Sequence, residues 1–133
     1  MKEMLAVARR DDGPSALECL DGSIFARRLA EEAGGPDVQA AVGGRFSELV
    51  AGYVERFGSV ELEFAHWHGD WVPWNLATHR GRLVAWDWEH SSGDMPLGTD
   101  LVHNAFQREL VLRELPVAEA ARTARSSLAE SRG

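Results

Sequence analysis

Three polar side chains, Asp70, Asn75 and Asp87, carry the chemistry that can be read from this 133-residue sequence. The first two lie five positions apart in His68-Gly69-Asp70-Trp71-Val72-Pro73-Trp74-Asn75, and the third follows twelve residues later in Asp87-Trp88-Glu89. A carboxylate such as Asp70 can orient a substrate hydroxyl and take its proton as a new bond forms at phosphorus. Hard Mg²⁺ takes oxygen ligands and keeps waters and phosphate oxygens in its shell, so one or two carboxylates and an amide suffice from the protein. Asn75 and Asp87 meet that need, and the chemistry expected is phosphoryl transfer from a magnesium-bound nucleotide. His68 is placed to hydrogen-bond backbone near Asp87 and fix the loop. Gly69 leaves room for a tight turn beside it, and Pro73 stiffens the stretch between base and metal ligand.

The elements around these residues must hold them still. Val38, Val42, Phe46, Leu49, Val50, Tyr53, Val54 and Phe57 recur at three- and four-residue spacing, which predicts one long helix. Asp37 lies in its first turn and Gly58 stands at its end. Val60, Leu62 and Phe64 alternate with Glu61, Glu63 and Ala65, a strand pattern leading into the loop. Leu76 to His79 and Arg82 to Asp87 flank Arg80-Gly81 as a tight hairpin, which sets Asp87 at a strand end. A polar stretch from His90 to Gly98 precedes a helix capped by Thr99 or Asp100, with Leu101, Val102, Ala105, Phe106 and Leu110 on its apolar face. Pro116 ends that helix, and an alanine-rich one runs to a Ser-Arg-Gly tail. The first 35 residues read as short helices, with Asp11-Asp12-Gly13-Pro14 as a break and Ser23 to Ala33 as a helical run.

The length suits one domain with its own core: a helical part over 1–58, the loop, hairpin and metal site over 59–104, and C-terminal helices over 105–133. A formal charge of −7 disfavours nucleic acid and anionic membranes as partners and favours cationic ligands. The single cysteine, Cys19, excludes an intramolecular disulfide and suits a reducing compartment. With no apolar run of membrane-spanning length and no signal-peptide core after Met1, a cytoplasmic location is expected.

The segments His68 to Asn75, Trp86-Asp87-Trp88-Glu89 and Gly98-Thr99-Asp100-Leu101 resemble the catalytic half of the aminoglycoside phosphotransferase and choline kinase superfamily. The resemblance covers residues 64–104, about a third of the chain. It implies a protein-kinase-like fold and transfer of the ATP γ-phosphate to a small-molecule hydroxyl. It also implies an α+β, mainly helical C-terminal lobe whose short β-hairpin carries the metal site. By resemblance Asp70 is the catalytic base, His68 opens the catalytic loop, and Asn75 and Asp87 bind Mg²⁺ and with it the ATP. Asp100 matches the acidic residue that braces the loop, although a plain helix cap explains it equally well.

Complete members of that superfamily also have a nucleotide lobe with a phosphate-covering loop and a lysine. This sequence contains no G-x-G-x-x-G, and its one lysine is Lys2. The expectation is therefore a C-terminal lobe without its N-terminal nucleotide lobe, truncated or split, with little turnover alone. The apolar surface left by a missing lobe would favour self-association or a partner lobe.

Two other readings stay open. One is a non-catalytic remnant that binds a ligand or partner through an acidic, tryptophan-lined cleft. All five tryptophans, Trp67, Trp71, Trp74, Trp86 and Trp88, cluster here, to pack the loop on the hairpin or to stack on a cationic substrate. Trp71 and Trp74 are expected to be the exposed pair, and with Glu89 they are the candidate substrate contacts. The other reading is a metal-dependent hydrolase, since His66-Trp67-His68-Gly69-Asp70 has H-x-H-x-D spacing. That site would need completion by His79, His90 or His103, scattered over the hairpin, loop and helix.

Overall fold

A computed structural model describes residues 17–130, as an α+β arrangement in which helices predominate. The strands are β1 (Leu17–Cys19), β2 (Glu61–Trp67), β3 (Leu76–His79), β4 (Arg82–Ala85) and β5 (Ser92–Pro96). The helices are α1 (Ile24–Gly34), α2 (Pro36–Val42), α3 (Arg45–Phe57), α4 (Thr99–Gln107) and α5 (Val117–Glu130). The expected break at 11–14, Lys2 and the 131–133 tail lie outside the described residues.

β2 is the centre of a three-stranded antiparallel sheet ordered β1-β2-β5. Its register to β5 pairs Phe64 with Pro96 and Ala65 with Met95, then shifts before Trp67 pairs with Ser92. The irregularity falls where the chain leaves the sheet for the candidate loop. β3 and β4 form a separate hairpin in full register, from Leu76 opposite Ala85 to His79 opposite Arg82. Arg80 (φ 51°) and Gly81 (φ 75°) make its turn, both left-handed as a two-residue hairpin demands.

Local chemistry explains most of the helix boundaries. Ser23 caps α1: its Oγ accepts from the Ala26 N–H at 3.1 Å and donates to the Leu20 carbonyl at 2.6 Å, and the residue is fully buried. α2 begins on Pro36, where the missing N–H is no loss. The long helix expected from Val38 to Phe57 is instead two, because Gly43 takes φ 63° and ends α2. Apolar residues keep their period across the Gly43-Gly44 joint, so periodicity alone could not reveal it.

Two strands replace expected non-strand segments. Leu17–Cys19, within the region read as short helices, pairs with Glu61–Glu63. The stretch from His90 to Gly98, read as an irregular connection, contains β5. Thr99 and Asp100 do not cap α4 either: the cap position is Gly98 at φ 99°, and the Thr99 hydroxyl donates to the Pro96 carbonyl at 2.6 Å. α4 is shorter than expected and runs into a π turn over Arg108–Leu112 before Pro116 and α5.

The buried apolar residues are mostly small. Ala26 and Ala33 of α1, Val50 of α3, Ala65 of β2, Ala105 of α4, and Ala120 and Ala124 of α5 allow close approach of the elements, with Leu20, Trp71 and Val72 as the larger anchors. Among the described residues no helix is long and apolar enough to cross a membrane.

Candidate active site

The loop between β2 and β3 is held from three directions. From α4, the Asp100 carboxylate accepts the His68 N–H at 2.8 Å and the Gly69 N–H at 3.3 Å, so Asp100 braces the loop. Burial raises the Asp100 carboxyl above its ordinary 3.8, and the two backbone N–H groups, with His68 and His103 nearby, pull the other way. One turn further along α4, the Asn104 amide donates to the Trp71 carbonyl at 3.0 Å. Sequence reasoning missed this second clamp, although its i+4 spacing from Asp100 puts both on one helix face.

From the hairpin, the backbone of Trp86 takes two bonds. His68 Nε2 lies 2.8 Å from the Trp86 carbonyl, and the Trp86 N–H donates to the Asn75 carbonyl at 3.3 Å. His68 Nδ1 accepts the Asp70 N–H at 3.3 Å, which places the ring proton on Nε2, facing the Trp86 carbonyl. The imidazole is 1% exposed, with both nitrogens engaged by backbone. His68 therefore ties Asp70 to the residue preceding Asp87.

Inside the loop, Asn75 Nδ2 donates to Asp70 Oδ2 at 2.8 Å and to the Asp70 carbonyl at 3.1 Å. A 3₁₀ turn over Pro73–Asn75 folds the chain back for this contact. Asn75 is buried and Asp70 half-buried. The amide nitrogen faces the carboxylate, so the amide oxygen, the atom that ligates a hard cation, faces away from it. Asp87 lies two residues past the end of β4, exposed and left-handed at φ 66°, a conformation that aspartate tolerates better than most residues.

Gly69, at φ 86°, is the point of closest approach. A Cβ there would run into the carbonyl of His90, so the loop and the β4–β5 connection touch backbone to backbone.

The tryptophans divide differently from expectation. Trp71 is 2% exposed and packs edge-on to His68 (5.4 Å between ring centroids) and to Trp88 (6.4 Å), so it is a buried anchor. Trp88 lies over His68 at 4.4 Å and donates its Nε1–H to the Ala85 carbonyl at 3.1 Å, which explains why the hairpin and loop pack together. Trp74, Trp86 and Trp88 are each between 43% and 48% exposed. Trp67 donates to Ser92 Oγ at 2.8 Å across the sheet. Glu89 is exposed and lies 3.4 Å from His90.

The histidines do not assemble. His66 is exposed on β2 near Gly93, His79 is exposed on the hairpin, and His103 contacts Gln107 at 3.2 Å on α4. Among the described residues no group of three or more His, Cys, Asp or Glu side chains forms a metal cluster. One carboxylate and one amide make a different donor set, of the kind Mg²⁺ accepts with water and phosphate completing its shell. Asn75 and Asp87 are the residues that could hold such an ion.

Comparison with protein families, with curated proteins and with solved structures gives no match for this chain.

Proposed function

We propose that the chain carries the catalytic half of an ATP- and Mg²⁺-dependent O-phosphotransferase acting on a small-molecule hydroxyl, of the aminoglycoside phosphotransferase type. The observation that supports this most is the pairing of Asp70 with Asn75 at 2.8 Å, on a loop tied through Trp86 to the backbone next to Asp87. Asp70 orients the acceptor hydroxyl and takes its proton; Asn75 and Asp87 would hold Mg²⁺, which would supply charge neutralisation at the phosphate. His68, Gly69 and Asp100 act through the backbone, keeping Asp70 in place without exchanging protons. The acidity of the chain suits an acceptor with cationic amines.

The cation that pairs with the nucleotide phosphates, by this reading, is supplied by a nucleotide lobe outside this sequence. The test is to supply such a lobe in trans or by fusion and to measure ATP consumption over a panel of hydroxyl-bearing amines. Acceptor-dependent turnover is expected, falling about 10²-fold or more in Asp70→Asn and in Asp87→Asn. Turnover that survives Asp70→Asn removes that residue from the base role and ends this reading.

A further inference from the structure

An open pocket lies beside the hairpin. A cavity of about 500 Å³ opens between β3–β4 and the aromatic cluster, lined among others by Trp71, His79, Arg80, Arg82, Leu83 and Trp88. In volume it suits a ligand of mononucleotide size. Its polar groups are donors: two guanidinium forks and an imidazole sit on the hairpin, in a chain whose formal charge is −7. Among the described residues neither Arg80 nor Arg82 has an ion-pair partner. The lining also has apolar surface, with Leu83 half-buried and Trp88 43% exposed.

We infer that this cavity binds a small aromatic anion, its planar ring against Trp88 and Leu83 and its phosphate or carboxylate on Arg80 and Arg82. Guanidinium forks match both oxyanions in bidentate geometry, and indole edges and faces accept flat rings. The wall is shared with the candidate active site, because Trp88 lies 4.4 Å from the His68 ring and Trp71 packs on both. A ligand there touches the cluster that holds His68, whose ring is bonded to Asp70 and Trp86. The site does not depend on the phosphotransferase reading, since neither Asp70, Asn75 nor Asp87 lines it.

The test titrates the full chain with phenyl phosphate in EDTA at neutral pH, followed by calorimetry and by tryptophan fluorescence. Saturable binding is expected, at least tenfold weaker in the double variant Arg80→Gln/Arg82→Gln and unchanged in Asp87→Asn. Phenol, which has the ring without the charge, should bind at least tenfold more weakly than phenyl phosphate. Benzoate distinguishes the head groups: binding equal to phenyl phosphate assigns a carboxylate-tolerant site, and weaker binding assigns a phosphate site. Both arginines are exposed, so the double variant should melt with the parent, which the same samples can show. Absence of binding by both aromatic anions overturns the inference, as does binding that survives the double substitution.

Discussion

Asn75 spends its amide nitrogen on Asp70, 2.8 Å from the carboxylate oxygen and 3.1 Å from the carbonyl of the same residue. One side chain thus sets the orientation of the proposed base and leaves its own oxygen for a cation. A hydrogen bond to a charged group contributes about 1.5–3 kcal/mol, so Asn75→Ala should cost about 2 kcal/mol in urea unfolding. In a cycle with Asp70→Ala, the two substitutions should be non-additive by about 1 kcal/mol or more. Strict additivity would show that the pair does not act as a unit.

Two glycines in the same left-handed region should respond differently to alanine. Gly69 is blocked by the His90 backbone, whereas Gly81 at the hairpin tip has open space around it. The left-handed conformation alone costs about 1–2 kcal/mol, and this is all that Gly81→Ala should lose. Gly69→Ala must also push two backbone segments apart, so its loss should exceed that of Gly81→Ala in matched thermal melts. Equal losses would mean that the contact with His90 is easily relieved.

Much of this architecture was legible because local chemistry and tertiary role agree. Arg80-Gly81 is a hairpin turn in sequence and in space, the helical run read from Ser23 to Ala33 is α1, and the alternation after Val60 marks β2. β5 was not legible, since Ser92-Gly93-Asp94-Met95-Pro96 has no alternation and is a strand only because β2 supplies its partner. The same holds for Leu17–Cys19, too short to show a period. Asp100 reads in sequence equally as a brace and as a cap, which are compatible; Gly98 takes the cap position and the Asp100 carboxylate accepts the loop N–H of His68. Trp71 looked like a surface residue beside a polar site, yet its size makes it the natural filler beneath His68. Among the described residues its indole N–H has no acceptor, the cost of filling that space with a donor.

Asp100 should leave a signature in the pH dependence of stability. Its carboxyl is raised above 3.8 in the folded protein, chiefly by burial, so the native state keeps this proton to higher pH than the unfolded chain does. The group's contribution is fully present below the unfolded value. It declines as pH rises to the raised folded value, then stays flat. Compared with Asp100→Asn, the wild type should therefore lose relative stability as pH rises above the ordinary carboxyl value of 3.8, read as the difference in urea midpoints. A difference that grows with pH would show that the bonds from His68 and Gly69 outweigh burial.

Glu109 controls how the chain passes from α4 to α5. It is 1% exposed within the π turn, with Oε1 held by Arg108 (Nε and Nη2, both 3.1 Å) and Oε2 by Arg113 Nη1 at 3.0 Å. The extra residue of a π turn rotates the chain beyond it. Arg113 and Leu115 then bond back to the carbonyls of Arg108 and Glu109, closing the turn before Pro116. Truncating the buried carboxylate in Glu109→Ala removes every side-chain bond in this cluster and leaves a gap where it was buried, while the exposed guanidinium groups return to water, a loss of about 2 kcal/mol. Arg113→Ala should cost less than about 1 kcal/mol, since its side chain is 61% exposed and Arg108 still covers the carboxylate. Because Ala120 and Ala124 of α5 are buried beyond this turn, the Glu109 variant should also speed amide exchange along α5. Comparable losses in the two variants, or unchanged exchange in α5, would place the cluster's role at the surface and leave the direction of α5 to the alanine contacts alone.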